Sequence, residues 1–305
     1  MKNKTRHNHE HYSSDLHGIK LLWVVILNLS ITVVQILGGI TSNSLSLISD
    51  ALHNLGDSSA LVIAFLANRV SRKEPDYRMT FGYKRVEIIA ALFNGIVLIA
   101  ICLFLFYEAY RRLRFSNPVH GSLMVSVAFF GLVANLSSMI LLRKGKENNL
   151  NIKAAYLHML GDAFASASVI VGGIFVWRFG IYWIDPVVSI LIGCYIIHET
   201  RHVIKETVDI LMQSCPEGMD ILQIKEQLEK IDNIDNIHHV HLWRLDDSQV
   251  HFEAHVNLKR NIPVKEITGI RDLAENILKE HFQISHATLQ FGYECCNGQR
   301  ELIGK

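Results

Sequence analysis

Six apolar runs constrain the fold of this chain more than any other feature of its sequence. Each is about 20 residues long, and an α-helix of that length, rising about 1.5 Å per residue, crosses the hydrocarbon core of a bilayer. Half of the 305 residues are hydrophobic and 19% are charged, which is unlike an ordinary soluble protein. The sequence therefore predicts an α-helical membrane protein with six transmembrane helices, at roughly residues 18–40, 46–69, 86–109, 119–142, 153–177 and 182–202.

The last third of the chain, from about residue 208, is charged and contains no run long enough to span a membrane. Hydrophobic periodicity there predicts the order helix, strand, strand, helix, strand, which suits a small open-faced α+β sandwich. The N-terminus lacks the residue order of a cleavable signal peptide, so we expect it to stay in the mature protein. We predict a His-containing tail at 1–17, a six-helix membrane domain at 18–207 and a soluble C-terminal domain at 208–305.

The distribution of Lys and Arg among the loops predicts the orientation in the membrane. Loops 69–85 and 143–153 carry ten of these residues, whereas loops 41–45, 110–118 and 178–185 carry four. Loops rich in Lys and Arg stay on the cytoplasmic side. We therefore expect both termini, and with them the C-terminal domain, to be cytoplasmic.

Charge and cysteine content exclude two other classes of protein. The formal net charge of +1 gives no basic field for nucleic acid, so no nucleic-acid partner is expected. The five cysteines are scattered and form no C-x-x-C motif, which argues against a disulfide framework and fits a reducing compartment.

A short motif occurs twice inside the apolar runs, as LHNLGD in the second run and LHMLGD in the fifth. It places His53 four residues before Asp57, and His158 four residues before Asp162, so that each pair lies on one face of its helix, one turn apart. If the two helices touch in antiparallel orientation, they form two levels with one His and one Asp in each. Two nitrogen and two oxygen ligands at this spacing suit a tetrahedral divalent ion, and zinc accepts that mixture.

The alternative for the repeated motif is a set of polar residues that hydrogen-bond inside a helix bundle. Two carboxylates near the middle of a membrane are costly, however, at about 2.5 kcal/mol or more each, and such charges usually mark a transport pathway. Gly56 and Gly161, each beside one of the aspartates, are expected to let the two helices approach closely.

Three stretches resemble signatures of the cation diffusion facilitator family: SNSLSLISDALHNLGD in the second predicted helix, FGYKRVEIIAALFNG at the third and NIKAAYLHMLGD in the fifth. The resemblance covers nearly the whole chain and is strongest toward the bacterial zinc exporters of the family. It implies a homodimeric, proton-coupled exporter in a bacterial cytoplasmic (inner) membrane, with a transport site at His53, Asp57, His158 and Asp162. A His in the first of these positions is associated with Zn²⁺ in the family, and Cd²⁺ and Co²⁺ are further candidate substrates.

The expected mechanism is secondary active transport by alternating access. The ion binds from the cytoplasm, and it is released outside as protons occupy its ligands. Metal and proton compete because zinc requires neutral imidazoles and ionised carboxylates.

In the C-terminal domain the resemblance implies a ferredoxin-like, metallochaperone-like fold with metal ligands at His241, His255 and His286. Some relatives complete this site with residues that correspond to Thr268 and Gly292 here, neither of which matches the family pattern.

The strand alternation puts His241 and His239 on one face of the first strand, and His255, Glu253 and His251 on one face of the second. A tight turn would set His239 opposite His255 and His241 opposite Glu253. The alternative to a metal site here is a solvated sheet face that happens to be rich in histidine.

Two further parts of the chain are possible metal sites: the loop between the second and third helices, and the N-terminal histidines. Some family members bind a metal between the second and third helices, but here Met79 and Tyr83 replace the histidines and only Asp76 remains, so we predict no metal there. The N-terminal His7, His9, His11 and His17 either capture zinc weakly or belong to a polar tail.

A competing motif, His198-Glu199-Thr200-Arg201-His202, has the H-E-x-x-H form by which metallohydrolases hold zinc. Read in this way, the chain would be a membrane-embedded zinc hydrolase. The third ligand that such a site requires is not evident, and the motif lies at the end of the sixth run, where polar residues reach the interface. A membrane protein that senses metal without transporting it is a further alternative, which the intramembrane His and Asp residues disfavour.

Overall fold

The computed structural model describes residues 26–115, 117–143, 150–294 and 301–302. The predicted N-terminal histidines lie outside these residues. Six long helices fill the first two thirds of the described chain, as predicted. They are α1 (Ile26–Ser42), α2 (Leu45–Ser71), α3 (Arg85–Arg114), α4 (Gly121–Leu142), α5 (Leu150–Phe179) and α6 (Ile184–Leu211).

Length and composition make four of these helices, α3 to α6, able to cross a membrane by themselves. Helix α1 is apolar but its described part is shorter, and α2 carries the polar residues of the first motif. Helix α6 extends to Leu211, beyond the predicted end at residue 202, and its last turns carry polar residues that the apolar run does not include. The described residues thus contain the six helices predicted for the membrane domain, and the ends of these helices were predicted less accurately than their number.

The chain divides into two compact units. The described residues within 1–63 and 93–203 form the first unit, and those within 64–92 and 204–305 form the second. In the first unit, α4 and α5 pack against each other. Its core consists of fully buried apolar side chains, among them Leu47, Met124 and Val169.

The turn between α1 and α2 is held by hydrogen bonds to a side chain of α6. Asp185 near the start of α6 accepts hydrogen bonds from Ser44 Oγ (2.7 Å), Leu45 N (2.7 Å), Ser46 N (3.1 Å) and Ser46 Oγ (2.6 Å). The carboxylate thus caps the positive N-terminal end of α2. The beginning of the helix that carries His53 is therefore held in place by α6.

Two of the arginines at the end of α3 have specific partners. Arg111 and Arg112 each lie 3.0 Å from Glu108 Oε1, and Arg112 Nη1 donates to the carbonyl oxygen of Asn43 (2.6 Å). Asn43 has a positive φ of 54° in the α1–α2 turn, a conformation that Asn tolerates better than most residues. These arginines therefore serve a structural contact rather than forming a free positive cluster.

The C-terminal domain has the predicted order of elements: α7 (Ile221–Leu228), β1 (Ile234–Arg244), β2 (Val250–Leu258), α8 (Val264–Phe282) and β3 (His286–Tyr293). The sheet order is β1-β2-β3, with β1 and β2 antiparallel and β2 and β3 parallel. Asp220 caps α7 by accepting a hydrogen bond from Leu222 N. The domain is an α+β fold, as predicted.

One face of the sheet forms the core of this domain, and the other carries histidines. On β2, Phe252, Ala254 and Val256 are fully buried and pack with residues of α7 and α8 such as Ile224 and Leu278. The period of two along a strand then directs the alternate β2 residues to the opposite face.

The register of β1 and β2 differs from the prediction at one point. His241 pairs with Glu253, as expected, but His255 pairs with His238 rather than with His239. A register shift lies between His238 and His241, and His239 has a positive φ of 52°. This β-bulge inserts one residue into β1 and so displaces the pairing beyond it.

Candidate metal centre

The two copies of the His–Asp motif lie against each other in the first unit. On α2, His53 Nδ1 is 3.5 Å from Asp57 Oδ2, and on α5, His158 Nε2 is 3.7 Å from Asp162 Oδ2. Between the helices, His53 Nε2 is 3.7 Å from Asp162 Oδ1 and His158 Nε2 is 3.2 Å from Asp57 Oδ2. Each histidine therefore contacts both aspartates, and the two cross-helix pairs are those of the two-level arrangement.

Three of the four donors converge closely enough for one small ion, and His158 lies beside two of them. Ligand atoms of His53, Asp57 and Asp162 all lie within 4.8 Å of one another. Within the described chain, His53 Nδ1 and both carboxylate oxygens of Asp162 are buried and form no hydrogen bond. Buried polar atoms normally have partners, so this cluster is suited to a cation that would supply them.

Exposure differs between the two levels of the cluster. The side chains of His53 and Asp162 are 7% and 1% exposed, whereas those of Asp57 and His158 are 25% and 38% exposed. The cluster is therefore more enclosed at the His53–Asp162 level than at the His158–Asp57 level.

The two motif glycines do not have the expected role. A Cβ atom at Gly56 would lie 2.3 Å from Leu98 Cδ2 of α3, and one at Gly161 would lie 2.6 Å from Tyr195 Oη of α6. The glycines thus make room for side chains of α3 and α6, instead of for close contact between α2 and α5. The small residues were recognised in the sequence, but their packing partners were not.

Tyr195 is a residue of the site that the sequence did not reveal. Its ring meets the His53 ring edge to face, with the centroids 6.1 Å apart, while its hydroxyl lies over Gly161. Tyr195 therefore packs against His53 on α2 and against Gly161 on α5. No signal in the sequence links it to the repeated motif, because it belongs to a different helix.

In the loop between α2 and α3, Asp76 is occupied by local hydrogen bonds. Its carboxylate accepts from Tyr83 Oη (2.6 Å), Arg78 N (2.7 Å) and Met79 N (2.8 Å). These bonds, with that from Tyr83 the strongest, lower the pKa of Asp76. Tyr83 therefore holds the loop through a direct hydrogen bond to Asp76.

In the C-terminal domain the three predicted ligands are not grouped together. His286 on β3 is in register with His251, four residues along β2 from His255, which corresponds to about 13 Å. The bulge instead brings His239 beside two of the predicted residues. Its ring stacks on that of His255 with centroids 4.7 Å apart, and lies 4.9 Å from that of His241.

His251 and His286 belong to a separate aromatic group. The ring of His251 contacts Trp243, His286 and Phe81, with centroid distances of 5.4, 5.0 and 5.7 Å. His251 is buried, and this burial, followed by the proximity of His286, lowers its pKa. Phe81 belongs to the loop between α2 and α3, so this group joins that loop to the sheet.

His238 is the most buried histidine of the sheet and should make the domain sensitive to acid. It is 3% exposed, its two ring nitrogens form no hydrogen bond within the described chain, and burial followed by repulsion from His255 and Lys225 lowers its pKa. An unfolded histidine has a pKa of about 6.5, so stability is present above this pH and is lost as pH falls from it through the folded pKa.

We therefore expect the amide protection of β1 and β2 to fall between pH 7.5 and 5.5. Hydrogen exchange of the full-length protein, corrected for the intrinsic effect of pH, measures this change. His238→Leu should make this loss of protection smaller, because a leucine side chain binds no proton. An equal loss of protection in the variant would show that His238 is not responsible.

The H-E-x-x-H motif lies on an exposed part of α6. His198, Glu199 and His202 are all exposed, and the two imidazole rings are 5.6 Å apart. Rings so placed at the surface do not form the enclosed cavity that a hydrolytic zinc site requires.

Two family matches cover most of the chain. Residues 21–212 match the cation efflux transmembrane domain, and residues 216–292 match the cation efflux protein, cytoplasmic domain. The chain belongs to the cation efflux family. Members of this family are transporters rather than enzymes, so the hydrolase alternative is rejected, and the C-terminal α+β domain is cytoplasmic.

Individual relatives agree with this assignment over nearly their whole length. The zinc transporter ZitB of Escherichia coli (strain K12) is 36% identical over 298 residues, which cover 96% of this chain and 94% of the relative. The metal cation efflux system protein CzcD of Cupriavidus metallidurans is 31% identical over 290 residues, 95% and 90% of the two chains. A cadmium, cobalt and zinc/H(+)-K(+) antiporter of Bacillus subtilis (strain 168) is 35% identical over 275 residues, 89% and 88% of the two chains.

Proposed function

We propose that this cation efflux protein exports divalent metal ions, chiefly Zn²⁺, from the cytoplasm in exchange for protons. The observation that carries the proposal is the mutual approach of His53, Asp57, His158 and Asp162, together with buried ligand atoms of His53 and Asp162 that form no hydrogen bond to the described residues. Two imidazoles and two carboxylates match the ligand preference of zinc. Relatives named as transporters of zinc, cadmium and cobalt support the same class of substrate.

The proposed cycle follows from the chemistry of these four ligands. A zinc ion enters past the more exposed His158 and displaces protons from the cluster, because it binds the neutral imidazole and the ionised carboxylate. The helices then rearrange and open the level of His53 and Asp162, where protons replace the metal. Proton uptake outside and release inside thus drives metal in the opposite direction.

The orientation that this cycle requires agrees with the charge of the loops. Ten Lys and Arg lie in the two loops proposed to face the cytoplasm, against four on the other side. Of those four, Arg111 and Arg112 are paired with Glu108. Both termini are then cytoplasmic, in what we propose to be a bacterial inner membrane, with the membrane domain at 18–207 between the tail at 1–17 and the C-terminal domain at 208–305.

We further propose that the protein acts as a homodimer and that its cytoplasmic domain binds metal as a regulatory ligand. Histidine rings on the open face of the sheet support this role, in particular His241 and His255 together with His239. His286 is remote from them and is better explained by its contact with His251. Metal bound there would bias transport only through different affinities for two states of the protein.

Zinc uptake into proteoliposomes, with and without an imposed pH gradient, tests the proposal. Gradient-dependent zinc flux is the expected result. Flux of a different divalent ion with no zinc flux would overturn the choice of metal, and absence of any metal flux would overturn the transport function.

We expect Glu199→Ala to leave zinc flux within about twofold of the wild-type value, since exposed charges contribute little free energy. Glu199 is exposed on α6 and belongs to the H-E-x-x-H motif rather than to the cluster. The same flux assay measures the effect. Complete loss of flux would show that this acid takes part in transport.

A further inference from the structure

A second buried polar group lies in the membrane domain, centred on Asp50 of α2. Asp50 Oδ2 accepts hydrogen bonds from Gln35 Nε2 of α1 (2.7 Å) and Ser166 Oγ of α5 (3.1 Å). Asn54 Nδ2, one turn further along α2, donates to Gln35 Oε1 (3.1 Å). All four side chains are fully buried, with 0% exposure. This group therefore lies between three helices and is closed to solvent.

The packing around Gln35 shows that space is made for this group. A Cβ atom at Gly131 of α4 would lie 2.7 Å from Gln35 Nε2 and 3.5 Å from Ser166 Oγ. Any side chain at position 131 would therefore displace the amide that bonds Asp50. The glycine contributes a fourth helix to the group, and the arrangement depends on its small size.

The partners of Asp50 do not compensate a negative charge. Its hydrogen-bond donors are neutral and both bind Oδ2, while Oδ1 is buried and forms no hydrogen bond within the described chain. An ionised carboxylate in such a place lacks the stabilisation that water would give it. A proton on Oδ1 would remove the charge and leave both bonds to Oδ2 intact.

Asp185 gives an internal comparison, because it is equally buried in the same unit. Its two oxygens accept four hydrogen bonds at the N-terminus of α2, two of them from backbone N–H groups. Each of its oxygens thus accepts from a backbone N–H group, Oδ1 from Ser46 and Oδ2 from Leu45. The two buried carboxyl groups therefore differ in their donors: both oxygens of Asp185 accept hydrogen bonds, whereas within the described chain Asp50 accepts only at Oδ2.

We propose that Asp50 is a proton-binding site, separate from the metal cluster, and that one of the protons exchanged for metal is carried there. The proposal rests on the proposed metal/proton exchange. Among ionisable groups, Asp162 on α5 acts electrostatically on Asp50, and His53 follows it by three residues on α2. The groups that α1 and α4 present to it, Gln35 and Gly131, are uncharged.

The coupling follows from charge alone. A divalent ion at Asp162 adds positive charge near Asp50, which favours the carboxylate, and the Asp50 proton is released. When the ion leaves, its two positive charges leave with it, and of the protons that replace it one binds Asp50 and the others bind ligands of the cluster. The Asp50 carboxyl group thus loses one proton as metal binds and regains one as metal departs. Its hydrogen bonds from Gln35 and Ser166 to Oδ2 are kept in both forms.

Calorimetry of zinc binding to the purified full-length protein, in two buffers of different ionisation enthalpy, tests this inference by counting released protons. Asp50→Asn mimics the neutral carboxyl group and should release fewer protons per zinc ion, by up to about one, with zinc still bound. Asp185→Asn is the matched control and should release the wild-type number. An unchanged count in Asp50→Asn would overturn the inference but not the proposed function, whereas a wild type that binds no zinc would overturn the function itself.

If Asp50→Asn does not fold, infrared spectroscopy of the wild type and of Asp50→Glu decides the question. A protonated-carboxyl band in the metal-free protein that disappears on addition of zinc, and that has a different frequency in Asp50→Glu, is the expected result. Absence of this band from the metal-free wild type would overturn the inference.

Discussion

Asp162→Ala should reduce zinc flux to the background of protein-free liposomes. Asp162 is the most enclosed residue of the cluster, at 1% exposure, and its two oxygens lie 3.7 Å from His53 and His158 respectively. Its removal takes away a ligand and a negative charge together. Loss of even an indirect partner of a metal typically costs about 10–100-fold in affinity, so loss of a direct ligand should cost about 100-fold or more.

Zinc uptake into proteoliposomes under an imposed pH gradient measures this effect. Glu199→Ala is the control, since it also removes one acidic side chain from the membrane domain but leaves the cluster intact. Asp162→Asn removes the negative charge but keeps the volume and one oxygen of the side chain. It therefore distinguishes the effect of losing the charge from the effect of losing the side chain. If Asp162→Ala carried zinc at the wild-type rate, the proposed transport site would be wrong.

Sequence spacing was sufficient to predict how the two motifs would meet. A separation of four residues fixes His53 and Asp57 on one face of a helix, and the same rule applies to His158 and Asp162. Antiparallel contact of two such faces leaves few arrangements, and the cross-helix pairs follow. This part of the site depends only on local helix geometry and on one tertiary contact.

The surroundings of the motifs could not be predicted in the same way. Leu98 and Tyr195 fill the spaces over Gly56 and Gly161, yet each comes from a helix whose position depends on the packing of the whole bundle. The polar residue Asp50 was visible in the sequence, but its neighbours Gln35 and Ser166 lie on α1 and α5. Contacts of this kind are set by tertiary structure and have no periodic signature.

In the cytoplasmic domain the order of elements was predictable but the histidine positions were not. The alternation of β1 predicts its faces only while the strand is regular, and the bulge between His238 and His241 interrupts that regularity. The sequence IHHVH contains no Gly or Pro to signal a bulge. The parallel pairing of β3 then places His286 at His251, a consequence of register that alternation alone does not determine.

Gly161→Ala should reduce zinc flux about tenfold or more, although a single methyl group is added. The new Cβ atom would lie 2.6 Å from Tyr195 Oη, closer than real Cβ contacts, so that Tyr195 or α5 has to move. Since Tyr195 also contacts His53 and α5 carries both His158 and Asp162, either movement disturbs the ligands. Overpacking typically costs about 1–3 kcal/mol, and about 1.4 kcal/mol corresponds to a tenfold change in an equilibrium.

A second substitution distinguishes steric overlap from other causes. In the double variant Gly161→Ala/Tyr195→Phe the hydroxyl is absent and the nearest remaining atom is Cζ at 3.6 Å, an ordinary van der Waals distance. Flux should then recover toward that of Tyr195→Phe alone. Gly172→Ala, also on α5, is the matched control, because its nearest neighbour is a Val188 methyl group at 3.2 Å.

Helix propensity alone predicts that Gly161→Ala stabilises α5, because Ala is favoured over Gly in a helix interior by about 1 kcal/mol. A loss of flux in Gly161→Ala with rescue by Tyr195→Phe would therefore locate the cause at the Tyr195 hydroxyl. If the double variant were as impaired as Gly161→Ala, the role assigned to Tyr195 in supporting His53 and α5 would have to be abandoned.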